Sequence, residues 1–319
     1  MELRVLRYFL AAAREQNITV AAESLHLTQP TLSIQLKSLE EELGKPLLIR
    51  GSKGSRRVLL TEDGKLLRAR AEEILGLVEK TENEISQTND AAAGDVYIGT
   101  GETDTIRYFA RAAKKLQTDC PDIHYHFMSG NAAYVLEQLD KGLIDFGLVF
   151  GDVDRKKYDA VRVPVKERWG VLLRRDDPFA EKESLTPEDL SGHPLIVSAQ
   201  EDARKQLAAW MHLPFSRLRA AATYNLILNA AIMSDEGYGY TIGYERLLDT
   251  VLDRSSSSLC FRPLNPVMES EAVIVWKKYQ IFSRAAERFL QQLKAELFEN
   301  ETASRAAASK LPEKGILKP

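Results

Sequence analysis

Apolar residues recur at steps of three and four along the start of the chain, the spacing that places them on one face of an α-helix. A first helix is predicted by four of them, Leu3, Leu6, Leu10 and Ala13. A short second helix, VAAESL, follows, and Thr19 is its expected N-cap. A third helix is expected to begin after Thr28, to carry Pro30 in its first turn and to end at Gly44. The N-terminal segment is therefore predicted to be a small all-α domain.

The third helix divides into an apolar stripe and a polar beginning. Its leucines are expected to be buried against the two earlier helices: Leu32, Leu36, Leu39 and Leu43. Its first turns carry amide and hydroxyl side chains, which can donate and accept hydrogen bonds at base edges. A short helix, a tight turn and a longer helix of this kind are typical of a helix-turn-helix that inserts its second helix into the major groove. A polar helix face at the edge of an all-α domain is the alternative, and the pattern alone leaves it open.

Charge is unevenly distributed along the chain, whose net charge is −3. Residues 1–60 carry nine cationic and six acidic side chains and thus a net charge of +3, which leaves −6 for the remainder. Between Arg50 and Arg57 there are four cationic side chains and no acidic one. This asymmetry favours a polyanionic partner for the N-terminal segment.

A longer motif resembles a known family. The segments AAESLHLTQPTLSIQLKSLEEELGKPLLIR and LTEDG are similar to the N-terminal domain of LysR-type transcriptional regulators, and the resemblance extends more loosely to about residue 295. It implies a winged helix-turn-helix that binds double-stranded DNA. The residues implied to face DNA are Thr28, Gln29, Pro30, Thr31, Ser33 and Lys37, and those implied to contact phosphate from a β-wing are Arg50, Lys53, Arg56 and Arg57.

One position departs from the family pattern. Arg or another polar residue often stands between Ser33 and Gln35 in the family, and here the residue is Ile34. An apolar side chain cannot hydrogen-bond to a base edge but can lie against a thymine methyl group. Ile34 is therefore included among the expected DNA-binding residues.

A second apolar pattern follows in the helix predicted to begin near Glu62. Six of its residues are spaced four, three, four, three and four apart, which is a heptad seam: Leu67, Ala71, Ile74, Val78, Thr81 and Ile85. Because a single helix cannot bury such a stripe against itself, the pattern predicts dimerisation through a coiled coil. Packing on a neighbouring domain is the alternative. A homodimer implies a pseudo-palindromic DNA site, and the family resemblance adds that dimers commonly pair into homotetramers.

From Asp95 onward strands and helices alternate, which predicts an α/β domain with a mostly parallel sheet covered on both faces. The chain is expected to cross into a second unit around RVPVKERW and to return near LNPVMES. Two lobes joined by two crossings form a periplasmic-binding-protein-like arrangement, which the family resemblance supports. The predicted domains are a winged helix-turn-helix at 1–61, a linker helix at 62–92, an effector domain at 93–300 (lobe I about 93–163 and 267–300, lobe II about 164–266) and a disordered tail at 301–319.

Polar residues follow several predicted strands, where helix N-termini offer N–H groups to a ligand. The candidates for a small-molecule effector pocket between the lobes are Thr100, Gly101, Glu102, Thr103, Ser129, Gly130, Asn131, Ser198, Ala199, Gln200, Thr223, Tyr224 and Asn225. Each of them taken singly also fits a role as an N-cap or turn former. Many effectors of the family are small carboxylates, which Glu102 would disfavour. That residue either favours a cationic or amino-bearing effector or points to solvent.

Motifs for catalysis and metal binding are weak in this sequence. Residues 99–104, GTGETD, begin like a GxGxxG dinucleotide loop but place Glu102 and Asp104 where a pyrophosphate would lie. His124 and His126 alternate along one strand and are interpreted as a surface pair. The sequence therefore predicts a regulator that is not an enzyme and needs no cofactor or metal.

The compartment follows from two further features. No apolar run approaches the roughly 20 residues of a membrane span, and no signal peptide is visible, so a cytoplasmic location without a membrane partner is expected. A solute-binding or transport-associated protein with an N-terminal interaction module is the rival hypothesis. The lack of a visible secretion signal and the heptad seam both disfavour it.

Overall fold

The computed structural model describes residues 1–50, 57–86, 93–245 and 258–308. The chain divides into two compact units, Met1–Ser86 and Gln87–Pro319. The first unit begins with three helices, α1 (Leu3–Glu15), α2 (Ile18–Ser24) and α3 (Gln29–Leu43). A two-stranded antiparallel sheet of β1 (Leu48–Arg50) and β2 (Val58–Leu60) and the long helix α4 (Glu62–Ser86) follow.

The helix ends of the first unit agree with the sequence predictions except at α2. Asn17 caps this helix in place of Thr19, because the Asn17 side-chain oxygen accepts hydrogen bonds from the backbone N–H groups of Thr19 (2.9 Å) and Val20 (3.4 Å). Thr28 caps α3 as predicted, with its hydroxyl oxygen 3.3 Å from the Thr31 nitrogen. Gly44 ends α3 at φ 65°, a left-handed conformation that favours glycine.

The core of the first unit lies between α1, α2 and α3. The most deeply buried side chains, each at most 1% exposed, include Phe9, Ala12, Ala21, Ala22, Leu32, Leu36 and Leu39. The small residues of α2 allow the neighbouring helices to approach closely. Leu43 was predicted to be buried as well, but it is 41% exposed, because it lies in the last turn of α3, where the helix ends.

In chain order the first part of the second unit comprises β3 (Gly94–Thr100), α5 (Arg107–Leu116), β4 (Ile123–Ser129), α6 (Ala132–Asp140), β5 (Phe146–Phe150) and β6 (Tyr158–Arg174). The next elements are α7 (Pro187–Leu190), β7 (Leu195–Ser198), α8 (Glu201–Trp210), β8 (Ala220–Tyr224), α9 (Ile227–Asp235) and β9 (Tyr240–Tyr244). The last are β10 (Leu259–Pro263), β11 (Glu269–Lys277) and α10 (Arg284–Ala308). Strand β10 was not predicted from the sequence.

The strands of the second unit follow the order β4-β3-β5-β11-β6-β9-β7-β8, with β10 also paired to β6. Within each lobe the pairs β3–β4, β3–β5, β7–β8 and β7–β9 are parallel. The prediction of a mostly parallel sheet is wrong in the middle, where β11 and β6 pair antiparallel with each other and with their other neighbours. These two strands carry the chain between the lobes in opposite directions.

The passage between the lobes lies inside one continuous strand. Strand β6 pairs with β11 up to Arg168, and from Trp169 onward it pairs with β9. The segment RVPVKERW, predicted as the crossing, and GVLLR, predicted as a separate strand, therefore both belong to β6.

Helices cover both faces of the lobe I sheet. On one face Phe109 of α5 and Phe289 of α10 pack with Phe146 of β5, and all three side chains are fully buried. On the other face Val135 and other apolar residues of α6 pack against β11. In lobe II, α8 contributes to one apolar cluster and α9 to another. The prediction of a sheet covered on both faces is therefore confirmed.

Helix α10 extends to Ala308, so residues 301–308 of the segment expected to be disordered are helical. Residues 309–319 lie outside the described residues. Among the described helices, none is long and apolar enough to cross a bilayer. Cys120 and Cys260 are both buried and unpaired.

Candidate functional site

The first turns of α3 present a polar surface. Side chains of Thr28, Gln29, Pro30, Thr31 and Lys37 are exposed and that of Ser33 is half-buried. The hydroxyl oxygens of Thr28 and Thr31 lie 2.7 Å apart, and the Gln29 amide nitrogen donates to the Ser33 hydroxyl at 3.2 Å. Amide and hydroxyl groups thus stand side by side on one helix surface, as reading of base edges requires.

Ile34 belongs to this exposed surface and not to the core. Its side chain is 65% exposed, whereas Leu32 and Leu36 on the neighbouring positions are at most 1% exposed. A large apolar side chain in this position gains no burial within its own unit. It is available to contact an apolar group of a partner.

Strands β1 and β2, which correspond to the predicted wing, are held to the rest of the first unit at their base. A carboxylate oxygen of Glu40 in α3 accepts hydrogen bonds from the backbone N–H groups of Leu47 (2.7 Å) and Leu48 (2.9 Å). Val58 donates its N–H to the Gln16 carbonyl at 2.8 Å, and the Arg57 guanidinium donates to the Gln16 side chain at 3.3 Å. Of the predicted phosphate contacts, Arg57 is exposed and Arg50 ends β1. Lys53 and Arg56 lie outside the described residues.

The LTEDG motif fixes the start of α4 against the wing. The Thr61 hydroxyl donates to the Pro46 carbonyl at 2.8 Å and accepts from the Gly64 N–H at 2.9 Å. A Cβ atom at Gly64 would lie 2.1 Å from the Leu47 carbonyl oxygen, which no side chain allows. The motif needs threonine and glycine at these positions for this close approach.

The predicted heptad seam of α4 is covered at one end and open at the other. Leu67 packs against the core of the first unit and Ala71 is fully buried, so this end follows the alternative of packing within the chain. Ile74 and Ile85 are 36% and 65% exposed, Thr81 is exposed and Val78 is half-buried. The open end is the part that a second copy could cover.

A pocket lies between the lobes of the second unit, with a cavity volume of about 110 Å³. Seven of the predicted effector residues line it: Gly101, Glu102, Gly130, Ser198, Gln200, Tyr224 and Asn225. The strand ends predicted to converge are therefore brought together.

Other predicted effector residues have structural roles next to the pocket. The Thr103 hydroxyl donates to Glu167 at 2.8 Å, and the Thr100 hydroxyl donates to the Gly101 carbonyl at 2.8 Å. Asn131 caps α6 by accepting from the Tyr134 N–H at 2.9 Å. Ser129, Ala199 and Thr223 do not line the cavity.

Glu102 bridges the two lobes. Its carboxylate accepts a hydrogen bond from the backbone N–H of Ile227, the first residue of α9, whose own N-cap, Leu226, supplies no side-chain acceptor. A negative charge is favourable at a helix N-terminus, where N–H groups lack partners. The sequence does not predict this hydrogen bond, because Ile227 lies 125 residues away.

Aromatic side chains that no sequence pattern predicts form one wall of the pocket. The rings of Trp169 and Phe150 each lie 4.7 Å from the ring of Tyr244, centroid to centroid, and all three residues line the cavity. The Trp169 indole donates to the Ser270 hydroxyl at 2.8 Å. Tyr224 donates its hydroxyl to the Ile242 carbonyl at 2.6 Å. Burial raises the pKa of Tyr224 and that of Tyr244, so both phenols stay neutral.

A buried carboxyl group lies beside the lining residues. Glu167 is 1% exposed, and one of its oxygens accepts from the hydroxyls of Thr103 and Thr105 at 2.8 and 2.6 Å. Its other oxygen accepts no hydrogen bond from the described residues. No sequence pattern predicts this group, because Glu167 stands in the middle of a strand.

Family matches cover most of the chain. Residues 3–65 match the bacterial regulatory helix-turn-helix proteins of the lysR family, and residues 89–298 match the LysR substrate binding domain.

Two curated relatives illustrate the similarity. The probable cat1 operon transcriptional activator of Acinetobacter lwoffii is 33% identical over 203 residues, which are 63% of this chain and 65% of that protein. The match thus spans slightly less than two thirds of that activator. The uncharacterized HTH-type transcriptional regulator YvbU of Bacillus subtilis (strain 168) is 26% identical over 308 residues, which are 94% of this chain and 100% of that protein.

Solved structures share the fold. CbnR, a LysR family transcriptional regulator, gives a TM-score of 0.73 at 19% identity over 93% of this chain and 99% of its own. Full-length CbnR complexed with its target DNA gives 0.72 at 18% identity over 93% and 100%. With the helix-turn-helix and the substrate binding domain both matched, the chain belongs to the LysR family of bacterial regulators.

Proposed function

We propose that this protein is a sequence-specific, DNA-binding transcriptional regulator whose activity is modulated by a small molecule bound between the lobes of its second unit. The observation that carries the proposal is the exposed amide and hydroxyl surface at the start of α3, on a helix that is held in its domain by the buried side chains of Leu32, Leu36 and Leu39. That arrangement leaves the polar turns free to enter a major groove while the helix stays fixed in its domain.

The exposure of the polar side chains at the start of α3 supports a role for each of them in the proposal. Gln29, Thr31, Ser33 and their neighbours on the first turns of α3 read base edges, and Ile34 contacts a thymine methyl group. Arg57 and the other cations of the wing contact phosphate, which sets affinity and register but not sequence preference. The fold is shared with CbnR, which has been solved with its target DNA, and this supports DNA as the partner.

The protein acts as a homodimer through the open end of the α4 seam, and dimers pair into tetramers. Ile74, Val78, Thr81 and Ile85 form the contact, since their apolar surface is not covered within the first unit. A dimer presents two copies of α3 and therefore binds a pseudo-palindromic site.

Regulation requires the small molecule to bind two arrangements of the oligomer with different affinity. The pocket between the lobes suits this requirement, because Glu102 and the lining aromatic residues come from both lobes. The role is regulatory and not enzymatic, as it is for relatives named as transcriptional regulators. The protein works in the cytoplasm, where the DNA is.

A gel-shift experiment with the DNA upstream of the protein's own gene tests the proposal. A discrete complex that survives excess random competitor and weakens as salt rises is expected. Nuclease footprinting of that complex should show two protected half-sites about one helical turn or a multiple of it apart. Weak binding indifferent to sequence would contradict the proposal and would favour a solute-binding protein with an N-terminal interaction module.

A further inference from the structure

The charge of the interlobe pocket indicates the kind of molecule it holds. Building on the proposed function, we infer that the ligand is a small organic cation, an amine protonated at neutral pH with an apolar body. The first observation is the charge of the residues that line the pocket: those that carry a charge are Glu102 and Asp202. Among the described residues, no Lys, Arg or His lines this cavity. An anionic ligand would meet like charge there and no cationic side chain to offset it.

Each helix N-terminus at the pocket already has an acceptor or an acid beside it. The N–H of Ile227, at the start of α9, already donates to the Glu102 carboxylate. The start of α6 is capped by the Asn131 side chain, which accepts from the Tyr134 N–H. The start of α8 has no side-chain cap, but its first turn carries the carboxylate of Asp202, which lines the cavity. A carboxylate ligand would therefore have to displace Glu102 or approach Asp202.

Glu102 retains acceptor capacity for a cation. A carboxylate has about four lone-pair sites on two oxygens, and one oxygen of Glu102 is engaged by Ile227. Within the described residues the other oxygen accepts no hydrogen bond and the side chain is half-buried. An ammonium group placed against it would form a charge-assisted hydrogen bond, which is stronger than a neutral one.

The aromatic wall supplies the second part of the site. Trp169, Tyr244 and Phe150 line the same cavity as Glu102, and the ring of Tyr244 lies 4.7 Å from each of the other two, centroid to centroid. Ring faces carry negative potential and attract cations, and Trp attracts them most. The same rings offer apolar area to the body of the ligand. Carboxylate and rings together select an amine over a carboxylate of the same shape.

Three probes of one size separate these possibilities: benzylamine, benzyl alcohol and benzoate. Their binding to the full-length protein is measured by calorimetric titration and by thermal shift, since a ligand of the folded state raises its apparent stability. The expected order of affinity is benzylamine, then benzyl alcohol, then benzoate. The variant Glu102→Gln keeps an oxygen for the Ile227 N–H but removes the charge. It should weaken benzylamine binding about tenfold and benzyl alcohol binding by much less.

Glu201→Gln is the matched control, because Glu201 is an exposed acid next to the lining residue Asp202 and does not itself line the cavity. It should leave the order and the affinities unchanged. Three results would overturn the inference: tighter binding of benzoate than of benzylamine, a Glu102→Gln variant with unaltered benzylamine affinity, or no binding of benzylamine at all. The failure is distinguishable from that of the proposed function, because selective DNA binding is measured without any of these probes.

Discussion

The Glu102 carboxylate in lobe I accepts a hydrogen bond from the backbone N–H of Ile227 in lobe II. The bond joins the strand end after β3 to the start of α9 and spans the pocket between the lobes. Because Ile227 begins a helix that has no side-chain cap of its own, Glu102 supplies the cap from the opposite lobe. A residue of the pocket thereby also helps to hold the two lobes together.

Removal of this bond should destabilise the protein. Glu102→Ala leaves the first N–H of α9 without its acceptor, and we expect a loss of about 1 kcal/mol in the free energy of unfolding. Glu102→Gln retains an acceptor oxygen and should lose less. Urea unfolding followed by circular dichroism measures both variants, with Glu201→Ala, at an exposed position of α8, as the control. Equal stability of Glu102→Ala and the parent would show that the bond contributes nothing.

Gln29 is expected to read sequence without affecting assembly. Gln29→Ala removes an exposed amide from the first turn of α3 and should weaken binding to the specific site by about 1 to 3 kcal/mol. Binding to random DNA and the oligomeric state should not change. Fluorescence anisotropy on both DNAs and size-exclusion chromatography with light scattering provide the measurements. An equal loss on both DNAs would show that Gln29 is not a base reader.

In contrast to Gln29, Arg57 is expected to contribute to the binding of any DNA sequence. Its exposed guanidinium at the base of the wing is expected to contact phosphate, so Arg57→Ala should weaken binding to specific and random DNA alike. The slope of the logarithm of affinity against the logarithm of salt concentration should fall by about 1. Salt titrations of the parent protein and of the variant measure this slope. A loss confined to the specific site would assign Arg57 to base recognition instead.

Ile34 should contribute to DNA preference and little to folding. Since its side chain is 65% exposed, Ile34→Ala should change the free energy of unfolding by less than about 0.5 kcal/mol. The buried neighbour Leu32 is the control, and Leu32→Ala should cost about 2 to 5 kcal/mol. Affinity is measured on DNA sites in which one thymine at a time is replaced by uracil, which lacks the methyl group. At one position the parent protein should bind thymine more tightly than uracil, and Ile34→Ala should bind both equally. If no position shows this difference, Ile34 does not contact a thymine methyl group.

The open end of the α4 seam should hold the dimer. The double variant Ile74→Glu and Ile85→Glu places charge on the exposed apolar residues of the seam and should shift the protein towards monomer. Leu66→Glu is the control, because Leu66 is 60% exposed on the same helix but off the seam. Sedimentation velocity at several concentrations compares the three proteins. A double variant that sediments like the parent would place the dimer contact elsewhere.

Local patterns in the sequence predicted most of the fold, because capping residues and apolar periodicity act over a few residues. The Thr28 cap, the leucine stripe of α3 and the exposure of Ile34 are of this kind. At the start of α2 the pattern predicts Thr19 as the cap, but Asn17, two residues earlier, also has a suitable side chain and takes the role. Leu43 continues the stripe in sequence, yet the helix ends there and leaves it exposed.

The pocket was predicted only in part, because local sequence patterns do not show which residues of distant segments become neighbours. Strand ends such as Gly101 and Tyr224 were found because parallel strands deliver their carboxyl ends to one edge. Trp169 and Tyr244 lie within strands and resemble core residues in sequence. They become neighbours only because β6 pairs with β9 in the register that sets Trp169 opposite Tyr244. Pairing of that kind, like the bond between Glu102 and Ile227, is fixed by the tertiary fold and not by local sequence.

The ratio of affinities for the upstream site and for a scrambled duplex of the same composition measures whether this protein recognises DNA by its sequence. Both are measured by anisotropy with the full-length protein at one physiological salt concentration. A sequence-specific regulator predicts a ratio of about 10³ or more. A ratio near one, with binding that depends on salt but not on sequence, would show that the protein is not a sequence-specific regulator.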